Sequence, residues 1–228
     1  MRDIKLQNTN LKDNWVLLVL LLIVITNATI MKDSAIALIS ALCGITYTFL
    51  AGKGKPICYM FGITGSSFYC MLSFQSLLWG NLLLYALYYI PMQILGYFQW
   101  NKNLKECKKE IIKIALPKKE LFILLGIIFI LIVIVYYLLI YFKDSHPLLD
   151  SVTTVFSLGG MYLTVRRAIE QWLFWAVVNL LSFIMWINVL ASGTKVYSTV
   201  FMWGIYLVLA IYFYITWKKE LKSYLLAK

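Results

Sequence analysis

Charge is scarce in this chain, and acidic charge is scarcest. Of 228 residues only 14% are Asp, Glu, Lys or Arg, with 10 acidic against 21 basic, where an ordinary soluble domain carries about 25% charged residues. Histidine occurs once, at His146 before Pro147 in a loop, and offers no set of metal-ligand partners. Four cysteines, Cys43, Cys58, Cys70 and Cys107, lack any CxxC spacing. They read as small apolar packing residues, which removes disulfide and metal frameworks from consideration. No Asp, Glu, Lys, Arg or His lies deep within the long apolar stretches. Coupling to a proton or ion gradient generally uses such groups, so the chain reads as a uniporter. A membrane enzyme would need a base, a nucleophile pair or a metal set, none of which is visible, so the chain reads as no enzyme.

What remains is hydrophobic: 62% of residues are apolar and the mean hydropathy is +0.80. Eight stretches approach the roughly 20 residues that a helix needs to cross about 30 Å of hydrocarbon. They are 15–31, 34–51, 56–79, 82–100, 120–142, 148–165, 172–190 and 198–217. The runs are continuous rather than alternating, which excludes a barrel and makes this an all-α integral membrane protein with eight predicted transmembrane helices. The first is short and follows a basic stretch, features it shares with a signal peptide.

The formal net charge of +11 first suggests nucleic acid, but its placement argues otherwise. If all eight stretches cross, 18 lysines and arginines fall on the side holding both termini, and only Lys32, Lys143 and Lys195 on the other. The positive-inside rule then puts both termini in the cytoplasm, topology accounts for the charge, and no nucleic-acid partner is expected. The polar stretch 101–119 is a connector. Its lysines suit either a surface of anionic membrane lipid or plain solvent.

Sliding the chain on itself reveals a weak internal repeat at an offset of 117 residues. Asp33 and Ser34 meet Asp150 and Ser151, while Tyr89, Ile94, Tyr97, Trp100 and Lys102 meet Tyr206, Ile211, Tyr214, Trp217 and Lys219. The offset spans four crossings, an even number, so the two triplets run in the same direction as parallel repeats. The expected organisation is a tail and extra helix over 1–32, a first three-helix repeat over 33–101, a basic loop and linker helix over 102–147, a second repeat over 148–217 and a tail over 218–228. This is a 3+1+3 plan with an additional N-terminal helix, and a substrate would lie between the repeats near mid-membrane.

In "QWLFWAVVNLLSF" (171–183) a helix puts Trp172, Trp175 and Asn179 within an arc of roughly 60°. An amide facing lipid would lack partners at a cost of several kcal/mol, so Asn179 points into the bundle, as a link between helices or as a ligand contact. "QILGYFQW" repeats the three-then-four spacing with Gln93, Gly96 and Trp100, and Tyr89 lies a turn earlier. Trp100 fits an interfacial aromatic belt as well as a binding role. The sixth stretch supplies Asp150, Thr153, Thr154 and Ser157. Their alternatives are bonds back to the helix's own carbonyls for the hydroxyls, and a cap or a cation-attracting mouth for Asp150.

"WLFWAVVN" resembles the WxxWxxxN motif of PnuC-type nicotinamide riboside transporters, "YIPMQILGYFQWNKN" their third core helix and "DSVTT" their fifth. The resemblance runs from about Asp33 to Trp217; the extra first helix departs from a seven-helix core. It implies a fold like the SWEET sugar transporters, a homotrimer in the bacterial inner membrane, and facilitated diffusion of nicotinamide riboside, with intracellular phosphorylation trapping the product. No cofactor is implied. Trp172, Trp175, Asn179, Gln93, Thr154, Tyr89 and Trp100 are the expected substrate contacts. A pyridinium ring suits tryptophan faces, and carboxamide and ribose suit amides and hydroxyls. Thiamine, another aromatic cation, and riboflavin are the alternative cargoes, and a receptor or scaffold whose polar stripe only joins helices is the alternative class.

Overall fold

The computed structural model describes residues 10–32, 34–75, 79–107, 111–143, 147–191 and 197–226. The expectations placed on Asp33, His146 and Lys195 lie outside these residues. Among them the chain is all-helical: α1 (Asn10–Met31), α2 (Ala35–Gly52), α3 (Cys58–Gln75), α4 (Trp79–Leu84), a π-helical turn (Tyr85–Tyr89), α5 (Ile90–Cys107), α6 (Lys118–Tyr141), α7 (Pro147–Val165), α8 (Gln171–Ala191) and α9 (Tyr197–Leu226). α4, the π turn and α5 follow one another without a break, so the described residues form eight rods.

Local chemistry sets many of the ends. Ser34 caps α2 by accepting the Ala37 amide at 3.2 Å. Pro147 opens α7, where its missing N–H costs nothing. Lys32, Lys143 and Arg167 each follow a helix with positive φ, the left-handed closure that more often uses glycine. Pro91 explains the π turn. It has no amide to donate back along the helix, and the ladder widens just before it, with the Ile90 N–H reaching Tyr85 O, five residues back.

Among the described residues five helices are long and apolar enough to cross a membrane, within α2, α6, α7, α8 and α9, and 15–31 is a shorter apolar helix. This is a multi-pass membrane protein. α3 and α5 are less apolar, because α3 carries Thr64, Ser66, Ser67, two tyrosines and two glycines, and α5 ends in "NKNLKEC". α6 shows the opposite extreme: Phe122, Phe129 and Ile130 are all more than half exposed, as a lipid-facing helix requires.

α2 packs on α3 and α3 on α5; α7 packs on α8 and α8 on α9. The two groups meet where α5 lies on α7 and where α9 lies on α2, while α6 packs on α7, and α1 on α2 and α9. Two buried indoles fasten these crossings. Trp100 of α5 donates its N–H to the carbonyls of Thr164 (3.0 Å) and Val165 (3.2 Å) at the end of α7. Trp217 of α9 donates to Gly52 O at the end of α2, at 2.6 Å. Each indole also meets an aromatic ring edge-on, Tyr59 for Trp100 (5.1 Å) and Trp172 for Trp217 (5.6 Å).

Across this lysine-rich end runs an extended strap, residues 111–117. Ile114 N–H donates to Arg167 O at 3.1 Å and Ile114 O accepts from Ile169 N–H at 2.8 Å, forming a parallel bridge to Ala168. Ile112 N–H donates to Asn103 Oδ1 at 2.6 Å, and Leu116 N–H to Glu170 Oε1 at 3.1 Å. Ile111 lies over Gly54, whose φ of +67° lets the α2–α3 loop turn beneath it. Lys113 pairs with Glu220 and lies 5.0 Å from the Trp217 ring centre. The stretch expected to be a connector is therefore a structured closure.

Burial pushes the Glu170 carboxyl above the ordinary carboxylate range, against the lowering effect of the Leu116 amide. A raised folded-state value contributes stability at low pH that is lost as pH rises through it. Glu170→Gln keeps an acceptor for Leu116 and removes the buried charge. Thermal melts are expected to show the variant at least as stable as the parent at neutral pH, the difference vanishing below about pH 4, where the free carboxyl is protonated.

Candidate functional site

The α8 stripe faces inward, as its spacing predicts. Trp172 is buried between Phe213 (5.2 Å) and Trp217 of α9. Trp175, 60° round the helix, turns toward α7 and remains partly exposed, with its indole N–H donating to Thr164 Oγ1 at 3.1 Å. Asn179, one turn further, is only 5% exposed, and among the described residues its amide makes no hydrogen bond to protein.

Gln93 of α5 is equally enclosed at 4% exposed, but it is held: its Nε2 donates to Ser66 Oγ at 3.1 Å, and the Ser66 hydroxyl lies 3.3 Å from its Oε1. Gly62 makes room for it. A Cβ there would lie 3.2 Å from Gln93 Cδ and 2.8 Å from the Tyr47 ring. The π turn brings Tyr88 and Tyr89 to the α7 side of this helix, while Tyr85 lies 4.4 Å from the Tyr69 ring of α3. Tyr88 donates its hydroxyl to Leu158 O at 2.7 Å, Tyr89 sits against the Ser157 hydroxyl, and Tyr85 stacks edge-on at 4.7 Å from Tyr89.

Among the expected contacts, Trp175 and Asn179 share one helix face, Tyr89 and Gln93 share another, and Thr154 lies partly buried on α7, the helix packed against both α5 and α8. Thr153, its neighbour, bonds back to Leu149 O at 2.9 Å, the local alternative foreseen for these hydroxyls. Trp172 and Trp100 belong instead to the buried aromatic cluster at the lysine-rich end. Trp100 is fully buried and is no part of an exposed belt. Asp150 lies in the first turn of α7, partly buried.

Sequence reasoning passed over Tyr47, Ser66 and Thr164. A usable signal existed for two of these positions: the 117-residue offset pairs Tyr47 with Thr164 and Gly62 with Asn179, so the polar residue alternates between the two halves. Among the described residues, the buried hydroxyls of Tyr47 and Tyr59, the Gln171 amide and the Trp172 indole nitrogen also lack protein partners. An apolar groove of about 650 Å³, lined by Leu20, Phe49, Lys53, Phe183 and Leu209 among others, includes none of the expected contacts. Among the described residues no cluster of metal ligands occurs. The polar side chains that these helices turn inward are thus neutral, amides, hydroxyls and indoles.

Comparison with known proteins identifies the family. The model of the family described as nicotinamide mononucleotide transporter matches residues 34–219. The nicotinamide riboside transporter PnuC of Neisseria mucosa is 30% identical over 197 residues, covering 84% of this chain and 75% of that protein. Its counterpart from Haemophilus influenzae is 30% identical over 192 residues, covering 83% and 82%. A crystal structure of the vitamin B3 transporter PnuC superposes with a TM-score of 0.79 at 29% identity over 93% of each chain. With the match spanning most of its length, the chain belongs to the nicotinamide mononucleotide transporter family, whose members are membrane transporters and not enzymes.

Proposed function

We propose that this protein carries nicotinamide riboside into the bacterial cell across the inner membrane by facilitated diffusion, and that the cargo lies between two like-oriented three-helix units. The first unit comprises α2, α3 and the α4–α5 rod, the second α7, α8 and α9, with α6 as linker and α1 as the addition, giving eight crossings and both termini in the cytoplasm. The reciprocal indole bonds support this pairing, since Trp100 and Trp217 stand 117 residues apart and each reaches the first helix of the opposite unit. The observation that carries the functional reading is the buried Asn179 amide, unmatched by protein and one turn from a partly exposed indole.

Each part of the riboside has a counterpart. The pyridinium ring carries fixed positive charge, worth roughly 1 to 2 kcal/mol against a desolvated tryptophan face such as that of Trp175. Asn179, Gln93, Thr154 and Tyr89 supply amides and hydroxyls for the carboxamide and ribose. Trp172 and Trp100 back the site from the aromatic cluster. A neutral lining offers no counter-charge to the phosphorylated product, so phosphorylation inside the cell traps it and draws net uptake without an ion gradient. The protomers assemble as a homotrimer surrounded by membrane lipid.

Proteoliposomes without any ion gradient are expected to equilibrate labelled nicotinamide riboside saturably, with unlabelled thiamine or riboflavin competing poorly. Uptake that needs a proton or sodium gradient would overturn the uniport, and uptake blocked first by thiamine or riboflavin would reassign the cargo.

A further inference from the structure

Thr164, near the end of α7, is 1% exposed and ties Gly160, Trp175 and Trp100 together. Its hydroxyl donates to Gly160 O at 2.8 Å and accepts the Trp175 indole N–H at 3.1 Å, while its carbonyl accepts the Trp100 indole N–H at 3.0 Å. The polarity admits no alternative. An indole nitrogen only donates, and a hydroxyl whose single proton is committed to Gly160 can only accept. The edge of Trp175 therefore has one fixed anchor.

Gly160, one turn before Thr164, determines how the ring lies. A Cβ there would sit 3.1 Å from Trp175 Cε2 and 3.3 Å from both Cδ2 and Cζ2. Nearly equal distances to the two fusion atoms and their neighbour mean that one face of the indole lies flat over the glycine. With one face on α7 and the N–H tied to Thr164, only the opposite face is left to meet a ligand. No polar atom of this side chain remains to do so.

We infer that Thr164 is a positioning residue that makes the transporter select a cationic ring. By withdrawing the indole N–H, it confines Trp175 to contact through its π face, whose negative potential favours a positively charged ring over a neutral one. The inference rests on the proposed function and deepens it. The oxidised riboside carries the pyridinium charge; the reduced dihydropyridine riboside has the same ribose and carboxamide without it, so the ratio of the two affinities reads the contact alone.

Thr164→Val preserves the shape of the side chain and removes the acceptor; Thr164→Ser restores it. Binding of both ribosides to the purified full-length protein is followed by titration calorimetry and by quenching of tryptophan fluorescence. For Thr164→Val, affinity for the oxidised riboside is expected to fall about tenfold while that for the reduced riboside changes less than about twofold, in line with loss of one desolvated cation–π contact. Thr164→Ser is expected to recover most of that loss. Should Thr164→Val fail to fold, Gly160→Ala displaces the ring while keeping the hydroxyl, and the same fall in the ratio is expected. Equal weakening of both ligands, or unchanged affinity for the oxidised riboside, would overturn the positioning role. Wild-type protein that binds neither riboside would overturn the transport reading itself, an outcome distinct from these.

Discussion

Asn179→Ala is expected to abolish most riboside binding while leaving the empty protein as stable as before. The side chain is only 5% exposed, and among the described residues its amide bonds to no protein group, so truncating it breaks no hydrogen bond of the unliganded fold. With ligand present the same amide supplies both donors and an acceptor. Losing one or two such bonds costs about 1 to 3 kcal/mol, or roughly 5- to 150-fold in affinity. Calorimetry on purified protein, uptake into proteoliposomes and a thermal melt without ligand together decide it. A helix-joining asparagine would give the reverse pattern, with melting lowered and affinity nearly kept, and that result would return Asn179 to a structural role.

The second large effect concerns stability. Trp217→Ala is expected to destabilise the protein by about 3 to 5 kcal/mol, the range for truncating a buried aromatic side chain. Trp217 is fully buried, its edge meets Trp172, Lys113 lies over its face, and its N–H holds the Gly52 carbonyl. Its neighbours leave little scope for collapse into the space. Phe213 is bracketed by Phe49 at 5.9 Å and Trp172 at 5.2 Å, and it already presses on Gly52, where any Cβ would fall inside the ring. Trp217→Phe, which keeps an aromatic ring but strands the carbonyl, is expected to lose less. Detergent melts measure both; an alanine variant that melts with the parent would show that the cluster is not what holds α9 to α2.

These two residues also show which parts of the molecule were readable from sequence. Asn179 was readable because its environment is local: helix periodicity alone puts it beside Trp175, and the cost of an amide in lipid turns it inward. The helical class and most span limits were readable for the same reason. Trp100 and Trp217 were visible as a matched pair, yet their task was not. The carbonyls they bind lie 64 and 165 residues away in sequence, and nothing in a helical wheel points to an acceptor that distant. The π turn left a trace in Pro91 that went unread, and its effect, rotating Tyr88 and Tyr89 onto α7, depends on the packing of α5 against that helix. The strap was hidden by its lysines. Among these, its buried Ile111 and Leu116 look incidental, and its amides find acceptors in Asn103, Arg167 and Glu170, which only the folded chain brings near.

That strap constrains how the lysine-rich end can move. Ile111, Ile112, Ile114 and Leu116 tie one short run of backbone to the α2–α3 turn, to α5 and to the α7–α8 turn, and Lys113 adds α9. No helix at that end can swing outward alone without pulling on fastenings that belong to the others. Parting there is consequently cooperative, like a drawstring that frees every fold of cloth when it slips.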